Sequence, residues 1–261
     1  MKAKYKILVL SDLKSATTNA IKCGISLAKM TDANLQLFYV RKATDIVEQE
    51  SQLSAKRSIN RSFIKANNDI QNVLNPFSKD YNIDIEYNHA FGNVKNEIKN
   101  HIQEQQPDAI VIGKRKSNSL NFIGDNITEY VIKNFDGEII IASEENSLEP
   151  NKQLSLGILN GSDKPLKKEL TNNLIEYTQK PIKLFKTTEQ EDSNSNQSFS
   201  SKETVELVFD YGDNSMKSLS NYLSKSDVNL LCVHKMNTNK KDATLNIKSV
   251  LNNVNVSLLI S

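Results

Sequence analysis

From residue 5 to residue 143 the chain alternates short β-branched runs with amphipathic stretches, and few architectures accommodate that alternation. Residues 5–10 read as a first strand. Residues 15–29 carry Ala16, Ala20, Cys23, Leu27 and Ala28 at helical spacing and read as a helix laid on that strand. Residues 35–40 and 83–90 are the next strands. Between them residues 45–75 are predicted to form a long polar helix that Pro76 ends. Val94, Ile98 and Ile102 make an i, i+4, i+8 stripe closed by Pro107, and residues 109–112 follow as a buried strand. A helix over 126–134 and a strand over 138–142 complete a βαβαβαβαβ order. The fold class is α/β, a doubly wound parallel sheet with helices on both faces.

The order begins again after Pro150, with a strand over 154–159 and a helix over 165–177, an internal repeat of pattern but not of identity. The second copy is shorter. Residues 189–202, EQEDSNSNQSFSSK, are polar and low in complexity where the first copy has its long helix, and they read as a mobile loop. Strands are predicted at 205–209, 229–233 and 254–260, with helices near 215–224 and 243–252. The chain therefore divides into two domains, 1–146 and 151–261.

Composition removes several function classes. Lys and Arg total 33 against 31 Asp and Glu, a net charge of +2, which is no footprint for nucleic acid. Cys23 and Cys232 belong to no Cys/His cluster, and His89, His101 and His234 fall in separate elements without ligand spacing, so neither a disulfide framework nor a metal site is expected. No serine stands in a nucleophile elbow, and no catalytic residue is assigned. The apolar run Ile7-Leu8-Val9-Leu10 is too short for a signal-peptide core, and nothing later approaches a bilayer span; a cytoplasmic location away from membranes is expected.

In a doubly wound sheet, ligands sit at the carboxyl ends of the strands where strand order reverses. The first strand and the two residues after it, Ile7-Leu8-Val9-Leu10-Ser11-Asp12, resemble the opening strand of the universal stress protein family, I-L-V-P-T-D, with Asp12 at the family's aspartate. Residues 92–113, GNVKNEIKNHIQEQQPDAIVIG, are similar to the family's third helix and fourth strand, and I-T-E-Y-V-I at 127–132 resembles its last helix. The resemblance implies a tandem of two domains of the Rossmann-like, adenine nucleotide alpha hydrolase-like type, the second degenerate. It also implies an intramolecular pseudo-dimer joined through the last strands, 138–142 and 254–260, open to further dimerisation.

For function the resemblance implies a regulatory or stress-response binding protein, not a turnover enzyme beyond weak ATPase activity. ATP or AMP would lie in the first domain. Leu10, Ser11, Asp12 and Val40 would stand near base and ribose, and Gly113, Lys114, Arg115, Lys116, Gly124 and Asn126 near phosphate, where glycines let backbone N–H groups approach the anion.

This chain departs from the family's glycine pattern: Lys116 stands at the second glycine, the spacing is one residue short, and Asp125-Asn126 replaces glycine-hydroxyl unless Gly124 is used. Lys114-Arg115-Lys116 offers cations at the same place, while Asp125 would repel a triphosphate. Blander roles exist: Asp12 as a helix cap, Asn126 with Glu129 as a capping box, the cation run as a solvated loop. The alternative is a nucleotide-independent interaction module, with an unknown protein partner, that keeps the fold with a decayed phosphate loop. An ATP pyrophosphatase would need glycines after the first strand that Ser11-Asp12-Leu13-Lys14 lacks.

Overall fold

A computed structural model describes residues 4–42, 52–115, 126–159, 169–188, 202–210, 215–234 and 247–261; of 52–59 only the backbone is described. Their contacts divide the chain into two units, Met1–Gly137 and Glu138–Ser261.

The first unit runs β1 (Tyr5–Ser11), α1 (Thr17–Thr31), β2 (Ala33–Lys42), α2 (Gln52–Tyr81), β3 (Ile85–Gly92), α3 (Val94–Gln105), β4 (Ala109–Gly113) and α4 (Ile127–Asn134). Its strands lie in the order β3-β2-β1-β4, all parallel. Ile7, Leu8 and Val9 are consecutive and each 1% exposed, which an internal strand covered on both faces requires. Each such side chain contributes about 1.5–3 kcal/mol by leaving water. α1 covers β1 with Ala20, Ile21, Cys23, Gly24, Leu27 and Ala28. Gly24 is small by necessity, since a Cβ there would stand 2.9 Å from both Leu35 and Val9 side chains.

The second unit runs β5 (Glu138–Ala142), β6 (Leu156–Leu159), α5 (Glu169–Tyr177), β7 (Ile182–Thr188), β8 (Thr204–Asp210), α6 (Ser215–Lys225), β9 (Leu230–Val233), α7 (Ile247–Asn253) and β10 (Ser257–Ile260). Its strand order is β5-β10-β9-β6-β7-β8, parallel except where β10 meets β5. Counted along the chain, β6 to β9 occupy the order third-second-first-fourth, the same permutation as β1 to β4. β5, read from the sequence as the closing strand of the first half, belongs to the second unit, where Ile139, Ile140 and Ile141 face Ile260, Leu259 and Leu258.

Two elements differ from expectation. Pro76 does not end α2, which continues to Tyr81. Proline removes one helical N–H and crowds the preceding turn. Here Ile70 and Leu74 are buried on one side of it, and Phe77 stacks on Tyr81 at 6.4 Å on the other, so side-chain packing spans the defect. β7 has no counterpart in the sequence reading. Its lysines disguise it: Lys183 pairs with Asp227 and Lys186 with Glu206, while Ile182, Leu184 and Phe185 are buried. The starts of the helices expected from 45, 165 and 243, and nearly all of the polar stretch 189–202, lie outside the described residues. No helix among the described residues is long and apolar enough to cross a membrane.

Candidate functional site

The strand order of the first unit reverses between β1 and β4, and their carboxyl ends open the crevice where a ligand is expected. Leu10 faces Ile112 across the β1–β4 pair, so Ser11 and Gly113 lie one residue beyond it. Ser11 faces Tyr39 of β2, which brings Asp12 level with Val40. Leu10 is buried, and Val40 is half-buried opposite Ala90. The sequence-predicted residues Leu10, Ser11, Asp12, Val40, Gly113, Lys114 and Arg115 thus converge on one edge of one sheet. Lys116 and Gly124 lie outside the described residues, as does Asp125.

The turn after β1 is fixed by its own side chains. Ser11 Oγ accepts from the Leu13 N–H at 2.9 Å and lies 2.8 Å from the Thr17 hydroxyl. That closure carries Leu13 into the left-handed region at φ 57°. Asp12 Oδ1 accepts from the Lys14 N–H at 3.1 Å, an Asx turn. Asp12 therefore does not cap α1, whose first residues have no side-chain cap, and the expected capping role gives way to a turn-forming one. The other carboxylate oxygen, Oδ2, accepts from Arg115 Nη2 at 2.6 Å. The side chain of Arg115 is 62% exposed and that of Asp12 is 26% exposed. Such a pair contributes about 0.2–1 kcal/mol to stability, so it organises the crevice more than it holds the fold.

Gly113 is glycine because of what lies against it. A Cβ on Gly113 would stand 2.2 Å from the carbonyl oxygen of Ala16, so β4 ends in backbone contact with the start of α1. Lys114 follows, half-buried. On the far side of the undescribed stretch, Asn126 caps α4: its Oδ1 accepts from the Glu129 N–H at 3.3 Å, and its amide nitrogen donates to the Glu129 carboxylate. Glu129 also pairs with Lys133 at 3.1 Å. Asn126 is engaged as a helix cap, in a variant of the capping box that returns to the side-chain amide.

Thr17 and Ala16 are parts of the site that sequence reasoning missed. The signal for them is compositional: small and hydroxyl residues directly after a strand-end Ser-Asp. Elsewhere, the described residues show one hollow over the amino-terminal halves of the strands, lined by Lys6, Asn34, Gln36, Glu86 and Gln105. A second, in the other unit, is lined by Lys152, Lys180, Asp227 and Asn229. Neither is at the strand-order reversal, where Arg115 and Asp12 close on each other. Asp227 is held well below the ordinary carboxylate range by hydrogen bonds from Lys180 and then Lys183, the usual signature of a structural ion cluster.

Both thiols are buried; burial pushes Cys23 up to about 12, and burial followed by the Glu138 carboxylate raises Cys232 further. They behave as small hydrophobes. Among the described residues no group of three or more His, Cys, Asp or Glu is arranged to hold a metal ion.

The family's sequence model, described as Universal stress protein family, matches residues 5–142. That span includes the whole β1-to-β4 crevice. The chain belongs to the universal stress protein family. A universal stress protein from Archaeoglobus fulgidus DSM 4304 superposes with a TM-score of 0.69 at 11% identity, over 98% of this chain and 97% of that one. A functionally unknown protein from Pseudomonas aeruginosa PAO1 gives a TM-score of 0.54 at 10% identity, covering 98% of this chain and 92% of its own. At these identities the likeness is one of fold. None of the curated proteins matches the sequence.

Proposed function

We propose that this universal stress protein is a regulatory binding protein that takes an adenine nucleotide, ATP or AMP, at the β1–β4 crevice and does not turn it over. The observation that carries the reading is the convergence of Asp12, Gly113, Lys114 and Arg115 at the point where strand order reverses. Asp12 supplies an acceptor for ribose or base donors. Gly113 lets the end of β4 close onto the start of α1 at the crevice, and Lys114 and Arg115 supply cations for phosphate. Two repeats, over 1–146 and 151–261, are supported by the strand permutation that β1 to β4 and β6 to β9 share.

A specific observation also favours a second reading, a nucleotide-independent interaction module. Asp12 is already bonded by Arg115 and the Lys14 N–H, and Asn126 by Glu129. In that reading the same contacts are what remains of a crevice closed by its own side chains.

Isothermal titration of the protein with ATP, AMP and a cyclic nucleotide, with and without magnesium, separates the two. Micromolar binding that is lost in Asp12→Ala and weakened in Lys114→Ala is the expected result. No heat at millimolar ligand leaves the interaction module.

A further inference from the structure

Resting on the nucleotide reading, we propose that Arg115 makes the crevice selective for phosphate-bearing ligands by exchanging Asp12 for a phosphate when such a ligand enters. Arg115, at the end of β4, reaches across the strand-order reversal to Asp12, at the end of β1, and its Nη2 lies 2.6 Å from Oδ2. The second oxygen of Asp12 accepts from the Lys14 N–H at 3.1 Å. Each carboxylate oxygen is thus engaged, and a ribose hydroxyl or base amine seeking Asp12 competes with a guanidinium. The Lys14 bond belongs to the local turn and can be shared, since a carboxylate oxygen has two acceptor sites. Oδ2 keeps a second acceptor site as well, but a neutral donor arriving there shares the oxygen with a charge-assisted bond that spans two strands, and it is held more weakly until that bond yields.

What it yields to decides the selectivity. The Arg115 side chain is 62% exposed, so it can turn without being dragged out of a packed core. A phosphate offers that fork a bidentate, more highly charged partner than the carboxylate it leaves. The cation stays paired throughout, and Asp12 is released to accept from the nucleoside part of the same ligand. A bare nucleoside offers the guanidinium only neutral acceptors, so the ion pair is broken without an equal replacement or Asp12 serves as a weakened acceptor. The contact therefore couples the phosphate end of the crevice to the carboxylate at its other end.

The test titrates adenosine and AMP into the full chain and into Arg115→Ala, Arg115→Lys and the Asp12→Asn, Arg115→Ala double variant. Thermal melting confirms that each variant is folded. In Arg115→Ala, adenosine is expected to bind about threefold tighter, because an exposed ion pair no longer competes for Asp12. AMP is expected to bind about tenfold more weakly, because the charge-assisted fork is gone. Arg115→Lys retains charge without the fork and should fall between the two. The gain in adenosine affinity should vanish in the double variant, since it operates through Asp12. If the full chain binds AMP but Arg115→Ala weakens both ligands alike, or leaves their ratio unchanged, the exchange is overturned while the nucleotide reading stands. If the full chain binds neither ligand, both fall together.

Discussion

Gly113 shows how much one missing side chain can decide. Between β4 and the first turn of α1 there is no room for a methyl group, because its carbon would lie 2.2 Å from a backbone oxygen that cannot rotate away. Gly113→Ala must shift α1 relative to β4, and such overpacking is expected to cost about 2 kcal/mol. Urea denaturation would read this as a lower midpoint with an unchanged slope; an unchanged midpoint would mean that the helix start moves freely. His101 makes a different demand. It is 3% exposed, stacked on Phe38 at 3.8 Å, with its Nε2 2.8 Å from Gln36 Oε1. Burial lowers its pKa, opposed by Glu104, and burial also lowers those of His89 and His234. Below the ordinary histidine value of about 6.5 the unfolded chain then binds more protons than the folded one, and stability falls as pH drops. The loss begins near that value and levels off once the folded histidines are themselves protonated. The urea midpoint is therefore expected to be lower at pH 5.5 than at pH 7.5. His101→Gln should flatten that slope while lowering stability overall. The Asp227 cluster acts in a separate window, since its carboxylate loses its contribution only as pH falls below the ordinary aspartate value.

Among the elements, α3 is set by its ends. Asn93, in extended conformation, accepts from the Lys95 and Asn96 N–H groups at 3.1 and 3.2 Å, and the helix stops where Gln106 turns left-handed at φ 49° before Pro107. Removing the cap in Asn93→Ala is expected to cost about 1 kcal/mol, whereas Asn93→Asp or Asn93→Ser should retain most of it, as chemical denaturation would show. The stripe Val94, Ile98, Ile102 made this helix legible in the sequence, because apolar spacing reports a buried face directly. β1 and β4 were legible for the same reason, being runs of residues buried on both faces. β7 was not, since a strand whose lysines are tied up by Asp227 and Glu206 reads as polar until its partners are known. The end of α2 was misread because proline's local cost is visible in sequence, whereas the packing on either side of it, Ile70 and Leu74 before and Phe77 against Tyr81 after, is not. The crevice was half legible. Strand ends and glycines follow from pattern, but the pairing of Arg115 with Asp12, 103 positions apart, depends on β4 lying beside β1.

At the scale of the whole molecule, the two units repeat one strand permutation, yet the crevice does not repeat with it. Leu159 faces Val233 across β6 and β9 as Leu10 faces Ile112 across β1 and β4. The position equivalent to Gly113 is therefore His234, and the chain continues after Leu159 with Asn160-Gly161 where the first copy has Ser11-Asp12. His234 is half-buried, and its Nδ1 lies 3.3 Å from the Ser261 hydroxyl. An imidazole thus follows β9 where Gly113 follows β4, and in sequence Asn160-Gly161 replaces Ser11-Asp12. On the proposed nucleotide reading, two repeats of one topology of which only the first carries Asp12 and Gly113 lead to a stoichiometry. Equilibrium dialysis with labelled AMP is expected to saturate at one nucleotide per chain, and Asp12→Ala is expected to abolish all binding without exposing a weaker second class of site. Saturation at two per chain would require the second unit to bind with Asn160-Gly161 and His234 in place of Ser11-Asp12 and Gly113, and would remove those residues as the basis of binding. Residual binding of one nucleotide in Asp12→Ala would place the competent site outside the β1–β4 crevice.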